Sequence, residues 1–145
     1  MELTTFGAIM KFAMDREKSL QTLVEKTISS DAGQVYLELL QSLLSDCKKS
    51  LKLLERTRRE GINEMVLLPI SDLEETPYLD PEHPETFEDA QAMGLCLEMT
   101  LDRITLFYQA AAAKLPNETA SKAFNRLADK KLKLLKSIQG KLCST

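Results

Sequence analysis

The stretch Leu97-Glu-Met-Thr-Leu-Asp-Arg-Ile-Thr-Leu-Phe-Tyr108 sets Leu97, Leu101, Ile104 and Tyr108 at alternating steps of four and three. That period is one face of an α-helix, not the two-residue alternation of a strand. Continued in both directions, the steps reach Ala90, Gly94 and Ala111, which predicts a helix over 86–114, capped by Thr86 with Asp89 three residues on. Leu115-Pro116-Asn117 then reads as a tight turn, with Asn117 or Thr119 capping a further helix. Its stripe is Ala120, Phe124, Leu127, Lys131, Leu134 and Ile138, and it is expected to end near residue 139, before Gly140.

The N-terminal half shows the same design. Phe6, Met10, Ala13, Glu17, Leu20, Val24 and Ile28 predict a helix over 4–28. Ser30 and Asp31 offer caps, Asp31 with Gln34 as a capping box. Tyr36, Leu40, Leu43, Cys47, Ser50 and Leu54 then predict a helix to residue 60, stopped by Gly61. The two hairpins match in pattern at an offset of 84 residues, Leu40 meeting Phe124, Leu43 meeting Leu127 and Leu54 meeting Ile138. Residues 61–85 hold Pro69, Pro77, Pro81 and Pro84 and cannot form one long helix. The expectation is therefore an all-α four-helix bundle forming a single domain over 1–145. Its two antiparallel hairpins are joined by a linker long enough to cross the roughly 35–40 Å of the bundle.

Composition narrows the chemistry. At 145 residues, 43% hydrophobic and 28% charged, the chain can bury one core. Five Gly and five Pro argue against a turn-rich β fold. No apolar run approaches the roughly 18 residues of a membrane span, and the start has neither a basic segment nor an apolar block of a signal peptide. Cys47, Cys96 and Cys143 are too few and too odd for a disulfide framework, so a reducing cytoplasm is the expected location. The sole histidine, His83, lies in the linker, which excludes a two-histidine metal centre or a Ser-His-Asp triad in the core.

The segment 97–108 and the segment Phe124-Asn-Arg-Leu-Ala-Asp-Lys-Lys-Leu-Lys-Leu-Leu135 resemble the third and fourth helices of rubrerythrin-type bundles in the ferritin-like superfamily. The resemblance implies two antiparallel hairpins joined by one long crossover, around a di-iron centre held by four carboxylates and two imidazoles. The six ligand positions fall on Glu17, Cys47, Ser50, Leu101, Lys131 and Leu134, where only Glu17 keeps a family ligand. Sliding the fourth helix by three residues substitutes Ala128 and Lys131, which restores nothing. The degenerate di-iron site carries no expectation of the family's oxygen or peroxide chemistry. No cofactor is expected; iron or manganese, held through Glu98 or Asp102, is the alternative.

Two ionisable groups remain in the stripes, Glu17 and Lys131, and a buried charge must find a partner or shift its pKa. Two geometries are open. In one, the Lys131 ammonium pairs with Glu17, helped by Ser50 and Cys47, in the place of the metals. In the other, and the more expected, the fourth helix is rotated and Lys131 snorkels outward. Cys47 is expected to be an inert buried thiol. Phe87, Phe107, Tyr108 and Phe124 are expected to be core packing. Leu39, Leu44, Leu51 and Leu53, with Met93, Met99 and Leu106, widen the apolar faces. Val66, Leu67, Leu68 and Ile70 or a second subunit would cover them.

Charge is segregated. Residues 61–89 carry nine acidic side chains and no Lys or Arg, whereas 119–145 carry seven Lys or Arg and one Asp. Lys48, Lys49, Lys52, Arg56, Arg58 and Arg59 make a second basic run. The acidic linker is expected to lie along these basic faces, or the faces to be solvated, with no nucleic-acid and no membrane partner. The functional expectation is a non-catalytic module, structural or binding an unknown protein partner, in a homodimer. The alternatives are a divergent rubrerythrin-type metal-binding oxidoreductase and a small-ligand carrier using a core cavity lined by Leu101, Tyr108 and Phe124.

Overall fold

A computed structural model describes residues 2–65, 70–82 and 86–143, without the side chains of 62–65 and 143. Four helices account for most of it: α1 (Phe6–Ile28), α2 (Leu37–Met65), α3 (Ala90–Lys114) and α4 (Glu118–Cys143). Among the described residues there is no strand, only one antiparallel bridge between Glu2 and Glu74. The chain is thus an all-α bundle, and no described helix is long and apolar enough to cross a membrane.

Short polar side chains start the helices by accepting from first-turn N–H groups. Thr5 Oγ1 accepts from the Ala8 amide at 3.0 Å, and Asn117 Oδ1 from the Ala120 amide at 3.1 Å. The α3 cap is Asp89, which accepts from the Ala92 amide at 2.8 Å, and not Thr86. Both candidates fit a cap chemically; Asp89 has the extended backbone and begins the helix later. Between α1 and α2, of the two expected caps Ser30 serves, its Oγ accepting from the Gly33 amide at 3.2 Å, and the capping box expected of Asp31 with Gln34 is not formed. A 3-10 segment, Ala32–Tyr36, then leads straight into α2. Gly33 lies so close to the end of α1 that a Cβ there would stand 1.8 Å from the Thr27 carbonyl oxygen.

Two expected stops are not stops. α2 runs through the buried Gly61 to Met65, and α4 through Gly140 to Cys143. A glycine inside a helix costs only about 1 kcal/mol, which continued packing can outweigh.

α1 packs on α2 and α3, and α4 on α3 and α2. The stripes supply the core, with Ile28, Ala90 and Leu134 only partly buried. At the last of these, the neighbouring Leu135 takes the inward place. Met93, grouped with the surplus apolar residues, is fully buried, whereas Met99 and Leu106 are exposed. At the α1 N-terminal end, Phe107 packs against Phe12 with centroids 4.8 Å apart, and Tyr108 stands edge-on to Phe124 at 5.4 Å.

The described residues of the connection between α2 and α3 contact α1 and α3, so of the two expectations for the basic faces the one that laid the acidic linker along them is not met. The Ile70 amide donates to the Thr4 carbonyl at 2.9 Å, and the Leu3 amide to the Leu73 carbonyl at 2.7 Å. Tyr78 packs on Phe107, and Arg103 donates to the Leu79 carbonyl at 2.8 Å. Asp80 pairs with Arg16 at 3.2 Å and Asp72 with Lys114 at 4.0 Å. The linker acids Asp72 and Asp80 therefore meet cations of α1 and α3 rather than the basic rows of α2 and α4. The linker is held by apolar anchors, Ile70 and Leu73, whose burial outweighs weak surface pairing. His83 and the covering residues Val66, Leu67 and Leu68 lie outside the described residues.

Candidate functional site

At mid-bundle the stripes of α1, α2 and α4 bring three ionisable groups together. Lys131 is fully buried, and its Nζ lies 2.6 Å from Glu17 Oε1. The same Nζ donates to Asp46 Oδ2 and, at 3.2 Å, to Ser50 Oγ. Lys131 therefore points inward, and the outward, snorkelling geometry is not the one adopted. Its side chain enters from α4, meets α1 on one side and α2 on the other, and links the two hairpins by charge.

The two carboxylates differ. Glu17 is fully buried, and neither of its oxygens has a hydrogen bond of good geometry; its contact with Lys131 is ionic. Asp46 keeps 13% of its side chain exposed and forms the outer edge of the centre. Burial pushes the Glu17 carboxyl above its ordinary range; the Lys131 charge opposes this and the Asp46 charge adds to it. Burial alone would lower Lys131, yet the anionic groups around it, Glu17 foremost, hold it above its ordinary value. The surrounding anions thus favour the charged form of Lys131, while burial works against the charged form of Glu17.

Two further groups border the pair. Cys47 is fully buried, and desolvation pushes its thiol up to about 12, with Lys131 pulling the other way. A thiol with so little thiolate is a poor nucleophile and a poor metal ligand. The Tyr108 hydroxyl has no partner of hydrogen-bonding geometry among the described residues. It is nevertheless close enough to Glu17 for burial and that carboxylate to raise its pKa well above the ordinary phenol value.

Of the six positions carried over from the resemblance, Glu17, Ser50 and Lys131 meet directly and Cys47 adjoins them. Leu101 is a buried aliphatic and Leu134 sits at the α2–α4 rim. Glu98 does not join them: it is half-buried and accepts from Gln139 Nε2 at 3.2 Å. Asp102 is exposed. Asp46 is the participant that sequence reading missed. It precedes a stripe residue by one position, beside the seam, and meets the centre through Lys131 Nζ.

These donors do not fit a di-iron centre. An ammonium stands between the two carboxylates, two of the six positions are aliphatic, and the thiol is held protonated. Among the described residues, no group of three or more His, Cys, Asp or Glu is arranged to hold a metal ion. What the arrangement can do is electrostatic: lock α1, α2 and α4 in one register through a charge that cannot leave. No family model, no curated protein and no solved structure matches this chain.

Proposed function

We propose that the chain is a ferritin-like bundle in which a lysine ammonium takes the place of the metal centre, and that it acts as a non-catalytic structural or binding module. The observation that carries this reading is Lys131 Nζ, buried at mid-bundle and 2.6 Å from Glu17, with Asp46 and Ser50 as its other partners. A cation tethered by the chain needs no supply and performs no redox step.

The long crossover of that fold is supported by where the connection makes its contacts. Residue 70 bonds to Thr4 before α1, Asp80 to Arg16 midway along it, and Thr86–Asp89 border a cleft with Lys26–Asp31 at its far end. The exposed row Leu95, Met99 and Leu106 on α3 supports association of two copies.

Metal analysis of protein produced in iron- and manganese-supplemented medium tests the central reading. Sub-stoichiometric metal is expected; one or two tightly held ions per chain would overturn it. Light scattering tests the dimer, with twice the chain mass expected and a drop to one chain mass on Met99→Lys with Leu106→Lys.

A further inference from the structure

The basic rows of the sequence acquire a definite place in the fold. α2 exposes Lys49, Lys52 and Arg56 at helical spacing, and α4 exposes Arg126, Lys130 and Lys133. The helices run antiparallel here, because Lys131 meets Asp46 and Ser50 while Asn117 and Ala120 border the same small cleft as Thr57 and Gly61. Lys49, Lys130 and Lys133 accordingly line one groove of about 770 Å³, and the same register sets Lys52 level with Arg126 and Arg56 about one turn further along. Along the axis, the six cations fall within about three helical turns, roughly 16 Å, and form one elongated patch.

None of the six has an ion-pair partner among the described residues. Of the carboxylates nearby, Asp46 is already bound to Lys131 and Glu38 sits at one end of the groove. Glu55 lies one helical turn from Lys52, and Asp129 one turn from Arg126 and Lys133, yet neither forms an ion pair with them among the described residues. The linker acids Asp72 and Asp80, which could have neutralised the patch, are engaged by Lys114 and Arg16. Six unpaired cations in a chain of net charge −3 repel one another, and an anionic partner relieves that repulsion.

We infer that the α2–α4 groove docks an acidic segment of a partner polypeptide. This rests on the binding-module reading and names the partner's chemistry. A polypeptide fits better than a nucleic acid for two reasons. Phe12, Phe107, Tyr108 and Phe124 are all buried, and the groove offers no aromatic platform on which bases stack. Glu38 and Asp46 interrupt the basic lining, which opposes a continuous phosphate backbone but suits spaced carboxylates. Leu134, beside Lys130 and Lys133 in the groove lining, gives the partner's apolar side chains a contact.

Fluorescence anisotropy with labelled oligoglutamate and labelled oligothymidylate tests the inference. Oligoglutamate is expected to bind at low salt, more tightly than oligothymidylate, and to weaken at least about tenfold as salt is raised. The variant Lys49→Glu, Lys130→Glu, Lys133→Glu is expected to lose at least about tenfold, and Lys18→Glu with Lys26→Glu, on exposed sites of α1, to lose nothing. Should the triple reversal unfold by circular dichroism, Lys49→Gln with Lys130→Gln replaces it, with a several-fold loss expected. No oligoglutamate binding at low salt, equal binding by the reversed variant, or tighter oligothymidylate binding would overturn the inference. None of these results alters the metal content, on which the reading of the core stands separately.

Discussion

Lys131 holds together the fully buried carboxylate of Glu17 and the rim carboxylate of Asp46. Lys131→Met is therefore expected to destabilise the protein by about 3–5 kcal/mol at neutral pH, because it strands Glu17 and Asp46. The sign of its pH dependence follows from Glu17. Burial already holds that carboxyl above its ordinary 4.5, and losing Lys131 removes the opposing pull. A folded-state pKa raised above the unfolded one means that the folded chain binds the extra proton. The variant must then regain stability as pH falls through the raised value toward 4.5, and urea midpoints compared with the natural sequence at neutral and mildly acidic pH will show the gap closing. Glu17→Gln, which leaves the Lys131–Asp46 bond, should cost less than the lysine replacement at neutral pH. Cys47 gives a second expectation. With its thiol pushed up to about 12 and fully buried, it should be the slower of Cys47 and Cys96 to alkylate in the native protein, as peptide mapping by mass spectrometry would report. Glu17, Cys47, Ser50 and Lys131 were legible because each occupies a stripe position. Asp46 and the Tyr108 hydroxyl were not, since periodicity assigns a side chain to a face but says nothing of which atom its tip reaches.

At the scale of elements, local rules located every helix but not every end. The ends differ where two residues could serve: Thr86 or Asp89, Asp31 or Ser30. Either has a side-chain oxygen suited to a cap, and the backbone path into the helix selects one. Glycine shows the same limit. Gly61 and Gly140 read as stops yet lie inside helices, while Gly33 matters for contact rather than for helix breaking. Gly33→Ala should destabilise by more than about 1 kcal/mol, since the new methyl collides with the Thr27 backbone. Gly140→Ala meets nothing within 4 Å and should be neutral or stabilising by up to about 1 kcal/mol. Thermal melts of the two variants should therefore move in opposite directions or, at the least, by very different amounts.

Across the whole molecule, Phe107 is where the parts converge. Its ring touches Phe12 of α1, Tyr78 of the connection, and Phe124 of α4. Phe107→Ala should cost about 3–5 kcal/mol and loosen the connection together with the helices, visible as a single lowered thermal transition and faster proteolysis near Tyr78. The amino-acid pattern by itself determined that this is an all-helical chain of four long amphipathic segments, because a 3.6-residue apolar period leaves no other way to bury those side chains. It also located the two charges inside the stripes. Only the tertiary structure decided that Lys131 turns inward to Glu17 and Asp46, that Asp72 and Asp80 of the connection pair with α3 and α1, and that the α2–α4 cations have no ion-pair partner among the described residues. Those outcomes depend on how helices rotate and which faces meet, a competition among many weak contacts far apart in sequence that no local period encodes.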